Sequence, residues 1–301
     1  NTLQKSLAAI ALSVGGIGLA QNAAALDTNV QFSSAGTGVY DKTGITSFDW
    51  ADNQSVVIEQ NLVGATGQAG FCPTLACFFA PGVAAEGDTL TFNLHGQARL
   101  GLFSNALPNE FPTPFQVTTV FDLVETARVS EVKVDGTIII EFIGVSGTYT
   151  YYTNPATVYD QTAGTGFTAG TAFLSGNVVS TEGTFTGPNG LGAGGTGSSF
   201  LRNTITSYNS LYIEADDPDC ADPGNCLIGS TFDSTLDLTF GQAPSLAVGG
   251  TIGATPYIYQ AGDLLLAADA TSQFSRIPVP GTTLLLGLGL LGMAGVRRRK
   301  S

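Results

Sequence analysis

The chain has 301 residues, of which 43% are hydrophobic and only 12% are charged, so few side chains can form the ion pairs that support solvent-exposed helices. All 24 acidic residues lie between Asp27 and Asp269, whereas five of the 11 basic residues lie near the two ends. The region between the ends therefore carries a net charge of about −18, which attracts cations and repels nucleic acid and anionic lipid. Composition argues against a helical protein and against a nucleic-acid partner.

The first predicted element is a signal peptide at residues 1–25. Lys5 precedes an apolar run at residues 7–19, and the small residues Ala23 and Ala25 follow it. This order is the one that signal peptidase reads, and we expect cleavage after Ala25 with export of the remainder. The alternative is an uncleaved anchor helix, but the run is shorter than the ~20 residues that span a bilayer.

Residues 26–275 are predicted to form one all-β domain, a β-sandwich or jelly roll. Apolar and polar residues alternate at 89–94 and at 236–240, a period typical of strands with one buried face. Similar patterns predict further strands at 54–62, 115–129, 131–134, 137–143, 171–179, 200–213 and 263–274. The 39 glycines suit tight turns between such strands, and no amphipathic helix longer than three turns is indicated.

Two stretches predict the connections between strands. Asp135-Gly136 separates two alternating runs and predicts a hairpin with a type I′ turn, because that turn needs positive φ at both central residues. Glycine recurs between Gly183 and Ser199, which predicts an exposed, mobile loop.

The four cysteines fall into two close pairs, Cys72 with Cys77 and Cys220 with Cys226. Two local disulfides are the natural interpretation for an exported chain, although four cysteines permit three connectivities. A four-thiolate zinc site is the alternative, but these spacings are wider than those of most zinc knuckles.

Candidate catalytic and ligand-binding residues are few. His95 is the only histidine, so any serine- or cysteine-type mechanism would pass through it, and no G-x-S-x-G element accompanies it. We therefore expect a structural histidine and no enzymatic activity.

Paired carboxylates of an extracellular hydrolase cannot be selected from 24 acids by sequence. A sugar-stacking platform of exposed tyrosines is the alternative binding site; its candidates are Tyr149, Tyr151, Tyr152 and Tyr159.

An acidic cluster precedes the last strands and offers oxygen ligands for a cation. It contains Asp216, Asp217, Asp219 and Asp222, next to turn-forming prolines. Carboxylates are the ligands that Ca²⁺ takes, so a weak calcium site is one hypothesis. The spacing differs from the D-x-[DN]-x-[DN]-G loop, which favours a solvated acidic loop and no bound cofactor.

The C-terminal end has three parts in a fixed order. A Pro-x-Pro motif comes first, with the residues Ile277, Pro278, Val279, Pro280, Gly281 and Thr282. An apolar stretch at 283–296 follows, and Arg297, Arg298, Arg299 and Lys300 end the segment. A helix of about 15 residues would rise roughly 22 Å, short of the ~30 Å hydrocarbon core, and the basic cluster would hold its end in the cytoplasm.

This arrangement resembles the PEP-CTERM sorting signal of Gram-negative bacteria, with Val279 in the place of its usual glutamate. The resemblance covers residues 276–301 and implies a short transmembrane helix that holds the chain at the inner membrane. It further implies cleavage by an exosortase, a membrane transpeptidase, in bacteria that make exopolysaccharide. A plain C-terminal anchor is the alternative.

The expected protein is a surface or extracellular-matrix component, structural or adhesive in biofilms or flocs together with exopolysaccharide. A carbohydrate-binding β-sandwich and an extracellular hydrolase are the alternatives. Its expected processing partners are signal peptidase and exosortase, and the inner membrane is a transient location.

Overall fold

The structure, a computed structural model, describes residues 29–104, 115–156, 159–187, 195–216, 224–240 and 246–275. Its strands are β1 (Val30–Phe32), β2 (Lys42–Ile45), β3 (Ser47–Ala65), β4 (Thr89–Phe103), β5 (Gln116–Val132), β6 (Ile138–Asn154), β7 (Thr171–Gly187), β8 (Gly195–Tyr208), β9 (Ile213–Ala215), β10 (Thr231–Phe240), β11 (Thr251–Ile252), β12 (Tyr257–Ile258) and β13 (Leu264–Ser275). The helical elements are a 3-10 turn at Gly67–Ala69 and the short helix α1 at Leu75–Phe78. Neither has the length and hydrophobicity needed to cross a bilayer.

Eight of these strands form one antiparallel sheet that closes on itself. The order is β10-β13-β3-β4-β5-β6-β7-β8, and β8 pairs back to β10. The all-β prediction is confirmed, and the two layers expected of a sandwich are here opposite walls of a single closed sheet. Side chains from opposite walls meet inside: the Tyr151 hydroxyl on β6 donates to Ser272 Oγ on β13 at 3.2 Å.

The interior is filled largely by aromatic rings. Phe48 contacts Phe274 at a centroid distance of 5.2 Å, and Trp50 contacts Tyr151 at 4.9 Å. Both contacts are edge-to-face, the arrangement that the ring quadrupoles favour. These side chains alternate along their strands with outward-facing residues, so the period-two pattern of the sequence becomes the inside and outside of the barrel.

Each end of the barrel is covered by a separate segment. The sheet β2-β1-β9 covers one end, where Phe32 packs on Phe103 and Phe173. The segment between β3 and β4 covers the other end, where Leu75 of α1 lines the interior. The closing strand β13 ends beside the three-stranded sheet, since the Phe274 N–H donates to the carbonyl of Thr46 at 3.0 Å, directly after β2.

Each predicted strand overlaps an observed strand, and most observed strands are longer. The hairpin at Asp135-Gly136 is confirmed, with β5 and β6 as its arms. Its loop has three residues rather than two, because the Gly136 N–H bonds the Lys133 carbonyl and Lys133 pairs with Thr137. Gly136, at φ +84°, occupies the left-handed position that ends such a loop.

The predicted mobile loop between Gly183 and Ser199 is wrong in its described parts. Strand β7 continues to Gly187 and β8 begins at Gly195, so glycines from both sides of this stretch lie in the barrel wall. A Cβ at Gly195 or Gly197 would crowd the Phe185 ring. Glycine here makes room for a buried aromatic side chain instead of loosening the backbone.

Candidate functional site

The predicted sorting and processing residues lie outside the described part of the chain. These are Ala23, Ala25, Ile277, Pro278, Val279, Pro280, Gly281, Thr282, Arg297, Arg298, Arg299 and Lys300. The described residues end at Ser275, directly before the predicted sorting segment at 276–301. Ser275, the last described residue, pairs with Thr231 in the barrel wall, and Phe274 beside it is 3% exposed. The predicted sorting motif, which begins at Ile277, therefore starts three residues after a core side chain.

A carboxylate–imidazole–carboxylate cluster lies on the outer face of three neighbouring strands. His95 on β4 is directly opposite Asp122 on β5 and Val57 on β3, and Glu59 follows two positions after Val57 on the same face. The His95 Nδ1 atom lies 2.8 Å from Asp122 Oδ1, and Nε2 lies 2.9 Å from Glu59 Oε1. The imidazole side chain is 11% exposed, and each carboxylate is 20% exposed.

This geometry fits a protonated imidazole. A neutral ring carries one N–H and could donate to only one carboxylate, whereas the imidazolium donates to both. Burial lowers the pKa of His95, but the bonds to Asp122 and Glu59 and their charges outweigh it, so the pKa is raised. Burial likewise acts to raise the pKa of Asp122, and the bonds from His95 and from the Thr255 N–H outweigh it and lower that pKa.

Both ring nitrogens of His95 are thus occupied by carboxylates. A general base needs a free lone pair directed at the nucleophile, and this arrangement offers none. The cluster can hold charge and position the backbone that bonds it. His95 was predictable as the lone histidine, but Glu59 and Asp122 were not, because nothing in one sequence marks which of 24 acids will share its face.

A second polar group lies inside the barrel. Trp50 Nε1 and the Tyr151 hydroxyl both donate to Ser272 Oγ, at 2.9 and 3.2 Å, and Ser272 also bonds Ser234. Asn203 Nδ2 continues the chain to Ser234 Oγ at 3.1 Å. These residues line a cavity of about 50 Å³, which has room for ordered water. The network satisfies polar atoms that would otherwise destabilise the core.

One buried carboxylate has no cationic neighbour among the described residues. Glu125 on β5 is 2% exposed and accepts a hydrogen bond from the Thr181 hydroxyl at 3.1 Å, and Thr181 in turn bonds Ser199. It lines a cavity of about 20 Å³ whose other lining side chains are all apolar. Burial raises the pKa of Glu125 to about 7. The sequence did not mark Glu125 as buried, because the alternation of residues shows that a strand has two faces but not which face is inside.

The four tyrosines do not form the sugar-stacking platform that the sequence left open as an alternative. Tyr149 and Tyr151 are 4% and 3% exposed and point into the barrel, while Tyr152 and Tyr159 are half-buried. The Tyr149 hydroxyl donates to the Thr204 carbonyl at 3.2 Å. Because adjacent residues on a strand face opposite sides, Tyr151 and Tyr152 could never share one surface.

The cysteine and calcium hypotheses fall partly within the described residues. Cys72 and Cys77 form a disulfide, which excludes them as zinc ligands. Cys226 is also disulfide-bonded, and Cys220 lies outside the described residues.

Of the predicted calcium ligands, Asp217, Asp219 and Asp222 lie outside the described residues. Asp216 is exposed, and its Oδ2 accepts from the Gly44 N–H at 2.9 Å. Within the described ranges, no three His, Cys, Asp or Glu side chains converge as metal ligands. The weak calcium site stays a prediction.

Comparison with known proteins identifies one segment. Residues 276–300 match the family model described as the PEP-CTERM protein-sorting motif. Nothing among the curated proteins or the solved structures matches the chain. The match begins directly after β13, so the sorting segment adjoins the strand that closes the barrel.

Proposed function

We propose, from the premise that this chain is a PEP-CTERM protein targeted to exosortase, that its barrel is a non-enzymatic structural or adhesive component of the extracellular matrix. The motif indicates export through the membrane to the cell surface or the medium. We further propose that the protein acts in biofilms or flocs of a Gram-negative bacterium, with exopolysaccharide as its partner. The observation that carries it is the matched motif directly following the last barrel strand.

Processing follows from this arrangement in three steps. Signal peptidase removes residues 1–25 after the chain enters the secretory pathway. The apolar stretch at 283–296 then holds the chain at the inner membrane, with the basic residues inside. Exosortase next cuts near Ile277–Thr282 and separates the barrel from the tail.

The physical character of the barrel supports a structural role. Its wall consists of eight strands that close into a barrel, so in the described residues each of these strands has a neighbour on both sides. The Cys72–Cys77 disulfide suits an oxidising extracellular compartment. The only histidine is held by two carboxylates, which supports a charge-positioning role rather than hydrolysis. The acidic surface attracts cations and disfavours non-specific binding to nucleic acid.

The sorting role of the C-terminal segment is tested by removing that segment. A chain lacking 277–301, and a full-length Pro278→Ala/Pro280→Ala variant, are expected to leave the normal route and shift between membrane, medium and matrix fractions. Leu284→Ile is the matched control, because it keeps the hydrophobicity of the apolar stretch. Recovery of mature protein with Arg297–Lys300 still attached, by mass spectrometry, would contradict exosortase processing.

The matrix role is tested separately. Cells lacking the protein should form weaker flocs or biofilms, and the wild-type chain should restore them while the Pro278→Ala/Pro280→Ala variant should not. Pull-down with the cells' own exopolysaccharide measures the partner directly. Normal flocs without the protein, together with no retention on the polysaccharide, would refute the matrix role. They would not contradict the sorting role of the C-terminal segment.

A further inference from the structure

An outer strap, residues 246–263, lies across the outside of the barrel. It contains the short strands β11 and β12, which pair with each other. Leu246 and Ile252 of the strap form a cluster with Val57 of β3, and all three are almost fully buried, at 4%, 1% and 0% exposed. The strap therefore covers an apolar strip on the outer face of the wall, where a barrel strand would otherwise meet solvent.

The same strap lies directly on the His95 cluster. The Tyr257 ring stacks on the imidazole at a centroid distance of 4.6 Å and an interplanar angle of 6°. The Thr255 N–H donates to Asp122 Oδ2 at 2.7 Å. Gly253, at φ +90°, is so close that a Cβ there would overlap the Asp122 carboxylate and lie 3.2 Å from His95 Nδ1. The strap is thus fitted to the cluster by stacking, hydrogen bonding and close backbone approach.

We propose that His95 is a pH-dependent latch: its imidazolium, bonded to Glu59 and Asp122, holds the outer strap on the barrel, and loss of its proton releases the strap. A neutral imidazole has one N–H, so deprotonation turns one ring lone pair toward a carboxylate. The cluster then carries two negative charges without a cation, and the stacked Tyr257 loses its cationic partner.

The groups that face His95 come from three elements. Glu59 approaches from β3 and Asp122 from β5, while Tyr257 approaches from the strap. The Tyr257 hydroxyl donates to Asp263 at 2.9 Å, which places one more carboxylate near the cluster. His95 is the only cation among these groups, so its charge alone balances them.

The sign of the pH effect follows from the two pKa directions. The pKa of His95 is raised in the folded protein. Its contribution to stability is therefore fully present below the pKa of histidine in the unfolded chain, and it is lost as the pH rises through the folded pKa. The pKa of Asp122 is lowered in the folded protein, so its contribution to stability is lost only when the pH falls through that lowered pKa. The latch is therefore closed below the ordinary imidazole pKa and opens as the pH rises through the raised pKa of His95.

Opening has a consequence for the surface of the barrel. Release of the strap would expose Val57 and the partly buried Leu265, which lie opposite each other on β3 and β13. In the closed state the strap keeps these apolar side chains from solvent. The latch thus makes one face of the barrel available according to pH, a property beyond the proposed matrix role.

Hydrogen–deuterium exchange of the processed protein tests the latch. Peptides from 246–263 are compared with peptides from β6 at pH 6 and pH 9, after correction for intrinsic rates. In the wild type, strap protection relative to β6 should fall by about tenfold or more at pH 9. His95→Gln should give weak strap protection at both pH values, because glutamine stays neutral. Asp122→Asn should weaken the strap at pH 6, whereas the control Asp233→Asn, in an ion pair on β8 and β10, should not.

A second measurement does not depend on any variant folding. The lone histidine gives an unambiguous imidazole Cε1–H resonance in proton NMR, and its titration should lie above the ordinary value of about 6.5. Strap protection should fall over the same pH range. Protection that is independent of pH, strong protection in His95→Gln, or a titration midpoint below 6.5 would each overturn the proposal.

Discussion

The buried carboxylate of Glu125 makes the stability of the barrel depend on pH in an unusual direction. An acid that burial keeps protonated in the folded state destabilises folding once the unfolded chain can ionise. The folded pKa is about 7 against an ordinary value of 4.5. Between these values the unfolded chain binds fewer protons than the folded one, so the free energy of unfolding falls as the pH rises.

The magnitude follows from that difference. At 1.36 kcal/mol per pKa unit, raising the pH from 4 to 8 should cost the wild type about 3 kcal/mol through this group. That is a large part of the roughly 5–15 kcal/mol that stabilises a folded domain. Glu125→Gln has no proton to lose, so this contribution to the pH dependence should disappear. The variant should gain about 3 kcal/mol relative to the wild type between pH 4 and pH 8.

Urea unfolding at intervals from pH 4 to pH 8 measures this effect. Fluorescence of Trp50, the only tryptophan and 3% exposed, reports the transition from inside the barrel. Glu141→Gln is the matched control, because Glu141 is a partly exposed glutamate paired with Arg128 on the wall. It should keep the wild-type pH dependence. Parallel curves for wild type and Glu125→Gln would refute the assignment of Glu125 as a buried neutral acid.

Two further substitutions test the packing of the barrel and of its covered end. Gly96→Ala should destabilise by about 1–3 kcal/mol in urea, since its Cβ would overlap the Phe121 ring, whereas Gly144→Ala, with its nearest neighbour 3.9 Å away, should change stability far less. Equal midpoints for the two alanine variants would contradict this packing. Cys72→Ser/Cys77→Ser should lower the free energy of unfolding by about 2 kcal/mol, because the closed loop is short. An unchanged midpoint in the serine variant would show that the disulfide does not constrain the unfolded chain.

The strands were predictable because their signal is local. Alternation of apolar and polar residues identified the wall, and Asp135-Gly136 identified a hairpin. The mobile loop predicted at 183–199 is wrong for residues 183–187 and 195–199, because glycine has two uses that composition does not separate. It can loosen a loop, or it can admit a neighbouring ring, as Gly197 does for Phe185.

Facing direction was harder to predict than strand position. Tyr149 and Tyr151 lie two residues apart, so the sequence predicts that they share a face. The structure shows that this face is the inside of the barrel, which excludes the alternative of a surface platform at these two residues. The same uncertainty concealed Glu125, whose inward direction gives it a pKa of about 7.

By itself, the sequence determined the all-β class of the folded domain and the presence of the sorting segment. Both depend on short-range order: period-two alternation for the strands, and a Pro-x-Pro motif, apolar stretch and basic cluster for the sorting segment, now matched at residues 276–300. Only the tertiary structure decided which acids meet His95. Glu59 and Asp122 come from different strands, separated from it by 36 and 27 residues, and reach it only because strand register aligns them on one outer face. The hydrophobic pattern fixes which face of a strand is buried, but which residues lie side by side also depends on which strands pair and on the connections between them, and the pattern of one strand does not contain that information.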